Sequence, residues 1–154
     1  MSVTLRPCRN DDPAFLQLVA QLDAFLAVTD GEEHGFYDQF NGSDTLDYAV
    51  VLECDEKAVG CGGLRQKGGG DFEIKRMYVV EEARGERLAV TLLRHLEEEA
   101  RVRGGERTVL ETGLRQNAAV RLYGREGYAR VPNYPPYERM ANSACFARPL
   151  IGLG

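Results

Sequence analysis

The feature that most restricts the fold is an apolar strand that passes through a short acidic turn directly into an amphipathic helix, over Val79–Ala89. The first N–H groups of a helix have no partner within the helix, and the helix dipole adds about half a positive charge at that end. A strand, a tight turn and a helix N-terminus therefore predict an anion site. A phosphate or pyrophosphate is its natural ligand.

Length and charge restrict the function. The 154 residues suffice for one domain with a core, and we expect a single domain over residues 1–154. A net charge of −5 argues against a nucleic-acid partner, because such proteins usually carry a basic face. No apolar run approaches the ~20 residues of a membrane span, and the N-terminus lacks the apolar segment of a secretory signal. The four scattered cysteines indicate a reducing compartment, so we expect a cytoplasmic protein that binds no metal.

Periodicity and turn residues predict the order β, α, three β, α, β, α, β, β. Asp12 is expected to cap the first helix, with Pro13 at its first position. The predicted strands are Val3–Pro7, Tyr48–Cys54, Ala58–Leu64, Phe72–Val80, Thr108–Thr112, Tyr128–Val131 and Ala144–Leu150. The later helices are expected from about Gly85 to Val102 and over Asn117–Arg125, with a short one around Phe36–Phe40. This order predicts an α+β fold with a mixed, mostly antiparallel sheet and helices on both faces.

Two local patterns lead to further expectations. Gly60, Gly62 and Gly63 within one strand indicate either a bulge or a close approach by backbone or ligand, or else a twisted sheet edge. On the long helix, the Glu97–Glu99 run and His95 are expected to face solvent.

Three segments resemble one known family when they are taken together. The first is the strand Glu73–Val80. The second is the turn Arg84–Ala89, which is similar to the pattern Q/R-x-x-G-x-G/A. The third is Glu111–Gly113 followed by Asn117–Tyr128, which is similar to N-x-x-A-x-x-L-Y-x-x-x-G-F/Y. In this order and on these elements they resemble the GNAT family of N-acetyltransferases, and the resemblance extends over nearly the whole chain.

The resemblance implies the three-layer α/β/α GNAT fold and acetyl-CoA as the acetyl donor. In the family, the strand before the turn separates from its neighbour, and its backbone pairs with the pantetheine arm; here that strand end is Met77, Tyr78 and Val79. Asn117 is expected to hydrogen-bond the same arm. The pyrophosphate would lie on the backbone of Arg84, Gly85, Glu86, Arg87, Leu88 and Ala89.

Arg87 stands where the family pattern has a glycine. If that position needs a positive φ, an arginine there costs on the order of 1–3 kcal/mol. If the residue is already helical, the arginine costs little and its guanidinium can reach a phosphate. We expect the helical alternative, because the apolar helical pattern is already established at Leu88.

The resemblance also implies catalytic roles. Tyr123 would donate a proton to the departing CoA sulfur, for which a phenol that is protonated at neutral pH is suited. Glu73 is the first candidate for the base that deprotonates the amine, and alternation predicts that it shares a strand face with Lys75, Met77 and Val79. Glu111 is the rival base or a structural anchor, and a water chain is a third alternative.

By analogy with the family, the acceptor pocket would be lined by His34, Glu111, Tyr134 and Tyr137. Acidic and aromatic side chains suit a cationic or amphipathic amine. The expected function is acetyl transfer to a primary amine of a small molecule by direct attack in a ternary complex. A protein N-acetyltransferase and a non-catalytic acyl-CoA sensor are the alternatives, and the resemblance also allows a homodimer.

Overall fold

The computed structural model describes residues 2–31, 45–85 and 87–150. His34, Glu86 and the predicted short helix around Phe36–Phe40 lie outside these ranges. In the part that is described, no helix has the length and apolarity needed to cross a membrane.

The elements follow the predicted order. The strands are β1 (Val3–Cys8), β2 (Tyr48–Cys54), β3 (Lys57–Gly68), β4 (Asp71–Val79), β5 (Arg107–Gly113), β6 (Ala129–Val131) and β7 (Ser143–Pro149). The helices are α1 (Pro13–Asp30), α2 (Leu88–Val102) and α3 (Asn117–Arg125), and a short 3-10 helix occupies Glu81–Ala83. The expected start of α2 at about Gly85 is wrong, because the chain becomes helical only at Leu88.

One sheet of seven strands runs through the described residues in the order β1-β2-β3-β4-β5-β7-β6. β4 and β5 are parallel, and the other neighbours are antiparallel. Helices α1 and α2 both pack on β3 and β4, from opposite faces. This arrangement is the predicted α+β fold in three layers.

Helix α1 begins as predicted. Asp12 accepts hydrogen bonds from the backbone N–H groups of Ala14 and Phe15, at 3.0 and 3.3 Å, and Pro13 occupies the first turn. Phe15 and Leu18 are buried against the sheet. The cap satisfies N–H groups that have no partner within the helix, which fixes where α1 starts.

The glycines of β3 lie where neighbouring atoms come close. A Cβ added at Gly62 would lie 2.9 Å from the side chain of Leu96 on α2, and one at Gly63 would lie 2.9 Å from the carbonyl oxygen of Tyr48. β3 is an internal strand, so the alternative of a twisted edge is wrong. The missing side chains allow α2 and the chain before β2 to approach the sheet closely.

β4 contains one more residue than the stretch of β3 that it faces. Cys61 of β3 pairs with Tyr78, whereas Gly63 pairs with Lys75, so two residues of β4 face one residue of β3. The first of these two, Arg76, has a φ of 58°. This is a β-bulge, which bends its strand and changes the direction of the side chains that follow.

The bulge reverses the alternation of side chains along β4. Residues that pair across antiparallel strands share a face, so pairing with β3 places Glu73, Lys75 and Tyr78 on the face covered by α1. Met77 and Val79 lie on the opposite face, toward α2. The expectation that Glu73, Lys75, Met77 and Val79 share one face is therefore wrong for the last two.

Two expectations for α2 are also wrong. Glu97 is 1% exposed; it accepts hydrogen bonds from Arg94, Arg148 and the hydroxyl of Tyr128, at 2.7, 2.9 and 2.8 Å. Arg94 lies on α2 itself, whereas Arg148 lies on β7 and Tyr128 in the connection between α3 and β6. The buried carboxylate of Glu97 therefore links α2 to these two other parts of the fold.

His95 is half-buried rather than solvated. Its Nε2 lies 2.6 Å from the hydroxyl of Tyr48 on β2. Burial lowers the pKa of His95, and the nearby carboxylate of Glu99 opposes that shift only in part.

Candidate active site

The main opening in the sheet lies between β4 and β5. These parallel strands pair only at Asp71 with Arg107, Phe72 with Thr108 and Glu73 with Val109. Beyond that point the ladder ends, although both strands continue for several residues. Since the bulge at Arg76 bends β4 just after the last pair, the two strands diverge and leave a cleft with backbone groups along its edges.

The cleft has two adjacent parts, which share five lining residues. The long cleft has a volume of about 620 Å³ and runs from the end of β4 to the turn before α2 and the start of α3. The inner cavity, of about 120 Å³, lies on the side of α1 between β4 and β5. The residues that line both are Leu22, Met77, Gln116, Ala119 and Tyr123.

The long cleft contains most of the residues that were predicted to hold the donor. Those that line it are Met77, Tyr78, Val79, Arg84, Gly85, Ala89, Asn117 and Tyr123. Leu88 is instead buried in the core, where it anchors the first turn of α2. Arg87 is exposed beside this turn.

The turn before α2 depends on two residues with positive φ. Gly85 has φ 92°, and Arg87, immediately before the helix, has φ 59° and ψ 21°. The expectation that Arg87 is already helical is therefore wrong: it adopts the left-handed conformation that L-residues avoid for steric reasons. The position where the family pattern has a glycine is one where glycine would relieve a backbone restriction.

The side chain of Arg84 stabilises the same turn. Its Nε donates a hydrogen bond of 3.0 Å to the carbonyl oxygen of Val79. Its guanidinium lies 6.0 Å from the ring centre of Phe25 on α1 and 5.9 Å from that of Tyr78 on β4. These contacts tie the turn to the last residue of β4 and to α1.

Tyr123 lies where the two parts of the cleft meet. The residue is 8% exposed, and its ring packs edge-on against Tyr128 at 5.8 Å between ring centres. Burial raises its pKa, and the carboxylate of Glu111 raises it further. The phenol therefore keeps its proton at neutral pH and above.

Glu73 lies in the inner cavity at the last β4–β5 pair and is 3% exposed. Tyr134 donates a hydrogen bond of 2.9 Å to one of its carboxylate oxygens. Burial and the charge of Glu73 raise the pKa of Tyr134, so its hydroxyl remains a donor. Lys67 Nζ lies 3.8 Å from the centre of the Tyr134 ring.

Glu111 and Tyr137 also line the inner cavity. Glu111 is half-buried on β5, opposite Cys145 of β7, and Tyr137 is 3% exposed with its ring edge-on to Tyr134. Of the four residues predicted for the acceptor pocket, the structure thus places Glu111 and Tyr137 in the cavity. Tyr134 lies next to the cavity, where its hydroxyl is hydrogen-bonded to the cavity residue Glu73.

Several residues that line the cleft were not among the predicted site residues, and three of them are Lys75, Arg76 and Gln116. Lys75 and Arg76 line the inner cavity, and only the bulge puts both on that face. Gln116 lines both parts of the cleft. Counting back from Leu122–Tyr123 in the pattern N-x-x-A-x-x-L-Y leads to Gln116 rather than Asn117, so this residue was detectable from the sequence.

Comparisons with known proteins give results for both sequence and fold. The model of the acetyltransferase (GNAT) family matches residues 16–128. A protein of Azospirillum brasilense named IAA acetyltransferase is 32% identical over 139 residues, which cover 89% of this chain and 91% of that protein. One of Salmonella typhimurium named aminoalkylphosphonate N-acetyltransferase is 43% identical over 56 residues, or 36% of each chain. A solved structure from Klebsiella pneumoniae, assigned as an acyl-CoA N-acyltransferase, superposes with a TM-score of 0.81 at 32% identity and covers 96% of this chain and 97% of that one.

Proposed function

The chain belongs to the acetyltransferase (GNAT) family, and on that premise we propose that it acetylates a primary amine of a small molecule by direct attack in a ternary complex. It is an N-acetyltransferase with acetyl-CoA as its donor. The observation that carries the proposal is the separation of β4 from β5 after three residue pairs, with Tyr123 at the junction of the two parts of the cleft.

The long cleft would hold the donor. The backbone of Met77, Tyr78 and Val79 would pair with the pantetheine arm, with Gln116 or Asn117 on the other side of the cleft. The backbone N–H groups of the turn and of the first residues of α2 would bind the pyrophosphate, because they have no partner within the helix and lie at its positive end. This orientation would bring the thioester to Tyr123.

Tyr123 would supply the proton that the CoA sulfur takes up as it leaves. Its raised pKa keeps the phenol protonated, as a general acid requires. Glu73 would accept the proton that the amine loses before attack, because its carboxylate lies within the inner cavity and is held by Tyr134. Glu111 lies in the same cavity and is the alternative base, and a water chain is the third.

The size of the inner cavity favours a small acceptor. A volume of about 120 Å³ admits a compact amine, and Tyr137 from the loop between β6 and β7 limits it on one side. The names of the Azospirillum and Salmonella relatives also indicate small-molecule acceptors for those proteins. A protein N-acetyltransferase is the alternative, and it would require an open groove for a polypeptide.

Calorimetric titration of the purified protein with acetyl-CoA, CoA and ATP tests the donor site first. We expect micromolar binding of both CoA species and none of ATP. Release of free CoA is then measured with a panel of amines and lysine peptides. Faster turnover of peptides than of free amines would make a protein the preferred acceptor class. Absence of both CoA binding and turnover would refute the proposal.

A homodimer and a cytoplasmic location stay predictions. Light scattering of the purified protein tests the first, and cell fractionation tests the second.

A further inference from the structure

We propose that the acceptor is a zwitterion, an amine that also carries a carboxylate or phosphonate group, and that Arg76 and Lys75 bind this acidic group in the inner cavity. This inference rests on the proposed function and names the substrate class of the same site. The amine would then lie toward Glu73 and Glu111, which line the same cavity.

The Arg76 side chain is buried, with one of its donors unsatisfied among the described residues. Its side chain is 2% exposed, and its Nη2 donates to a carboxylate oxygen of Asp23 at 2.5 Å and to the carbonyl oxygen of Val19 at 3.4 Å. Its Nε is buried and has no hydrogen-bond partner within the described part of the chain. A buried N–H of a charged group is costly to leave unsatisfied, and Arg76 is one of the residues that line the inner cavity. We therefore infer that a ligand in the cavity supplies the missing acceptor atom.

The backbone at Arg76 has an unusual conformation, which directs two neighbouring side chains to one cavity. Its φ of 58° lies in a region that disfavours residues other than glycine. In a regular strand Lys75 and Arg76 would point to opposite faces, but the bulge places both on the wall of the inner cavity. Two consecutive cationic residues that line one cavity suit an oxyanion, to which the guanidinium can donate the Nε–H that has no other partner in the described part of the chain.

The charges of the cavity are consistent with a zwitterion. Lys75 is half-buried, and desolvation lowers its pKa, whereas Glu73 and Glu111 raise it. Arg65 and Arg76 also lower the pKa of Lys75, so an added anion would favour its charged form. An acceptor with an ammonium group alone would approach two cations, but a zwitterion can place each of its charges next to the opposite one. With only about 120 Å³ available, these two charges must be a few atoms apart.

Matched pairs of amines test the inference. Glycine is compared with glycinamide, β-alanine with propylamine, and 2-aminoethylphosphonate with ethylamine, both for CoA release and for binding to the protein saturated with CoA. We expect kcat/KM at least tenfold higher for the acidic member of a pair. Arg76→Gln should remove most of that preference through KM, with the affinity for acetyl-CoA kept within a few-fold. Arg101→Gln, on the exposed side of α2, is the matched control and should change neither.

The outcomes separate the two proposals. Arg76→Gln also removes the pairing with Asp23, so Lys75→Met serves as a second variant, with thermal unfolding measured for both. Turnover of plain amines with no preference for acidic ones in the parent protein overturns this inference and leaves the proposed function in place. Selective binding of acidic amines without turnover supports the inference and refutes the proposed function. An acidic preference that survives both variants overturns the assignment to Arg76 and Lys75.

Discussion

The hydroxyl of Tyr134 donates a hydrogen bond to the carboxylate of Glu73 over 2.9 Å, and the two residues are 61 positions apart in the sequence. The bond ties the loop between β6 and β7 to the last residue of β4 that still pairs with β5. Glu73 is 3% exposed, so its carboxylate is largely shielded from water and depends on protein donors such as Tyr134. The contact fixes the direction of the side chain that we propose as the base.

Replacing Glu73 and its hydrogen-bond donor separately tests this assignment. Glu73→Gln should lower kcat by roughly 10²–10⁴-fold, the range for loss of a general base. Tyr134→Phe keeps the carboxylate but removes the hydrogen-bond donor that orients it, so kcat should fall by a smaller factor than in Glu73→Gln. Assays of CoA release under one set of conditions measure both rates.

Glu111→Gln is the comparison for that experiment, since Glu111 lines the same cavity. If Glu111→Gln lowers kcat by the factor expected for loss of the base while Glu73→Gln keeps most of the rate, the base is Glu111. If both variants keep most of the rate, a water chain deprotonates the amine.

Tyr123→Phe should reduce kcat by roughly 10²–10⁴-fold, because the leaving sulfur would lose its proton donor. The ring and its packing against Tyr128 are retained, so the melting temperature and the acetyl-CoA affinity should change little. Calorimetry and CoA release on the same preparation separate binding from turnover. Tyr128→Phe also removes a buried hydroxyl, but we have placed that residue outside the cleft, so it should affect stability more than kcat. A Tyr123→Phe enzyme with full activity would exclude the phenol as the acid.

The buried carboxylate of Glu97 should be essential for stability. Glu97→Ala leaves Arg148 and the hydroxyl of Tyr128 without their shared acceptor, and breaking a buried pair in this way costs about 3–5 kcal/mol. Glu98→Ala is the matched control, because the neighbouring side chain is exposed and pairs with Arg101 at the surface, where water and salt screen the attraction and the loss of the pair changes stability little. Urea unfolding measures both. Equal effects of the two substitutions would contradict the buried link.

Local sequence patterns predicted the helices and strands well, because each type of element has its own spacing of apolar residues. The apolar spacing over Asn117–Arg125 gave both ends of α3, and Asp12 marked the start of α1. They could not predict the bulge at Arg76, since one extra residue leaves a strand looking regular in sequence while it reverses every side chain beyond it.

Long-range pairs explain the remaining differences. Glu97 resembles its neighbours in a run of three glutamates, although it lies four residues after the buried Leu93. Its partners Arg148 and Tyr128, 51 and 31 residues away, are what stabilise a carboxylate at that buried position. Tyr134 was assigned to the acceptor pocket from the family analogy, but its hydroxyl is directed at Glu73. Partners this far apart in the chain leave no periodic signal, so they require the fold to be known first.

Stability should decrease in mildly acidic solution because of His95. Burial lowers the pKa of His95 in the folded protein, so below the unfolded value of about 6.5 the unfolded chain binds more protons. The free energy of unfolding should therefore fall as the pH drops from about 6.5 toward the lower, folded pKa. The charged group that acts on the ring is Glu99 on α2, and Arg103 lies over the ring of Tyr48, the hydrogen-bond partner of His95. Urea unfolding at pH 7.5, 6 and 5 should show a smaller pH dependence for His95→Gln, and an unchanged dependence would assign the effect to other groups.

Arg87→Gly should relieve the backbone at the turn before α2. A non-glycine residue in the left-handed region costs roughly 1–2 kcal/mol, but glycine also gives the unfolded chain more freedom, which offsets about 0.5–1 kcal/mol. We therefore expect an increase in stability of up to about 1 kcal/mol, measured by urea unfolding. The backbone N–H groups of the turn stay in place, so acetyl-CoA affinity by calorimetry should remain within a few-fold. Arg87→Ala is the control that removes the guanidinium without relieving φ. If both variants lose affinity equally, the guanidinium itself contacts the donor, and if only the glycine variant does, the arginine holds the turn in its binding conformation.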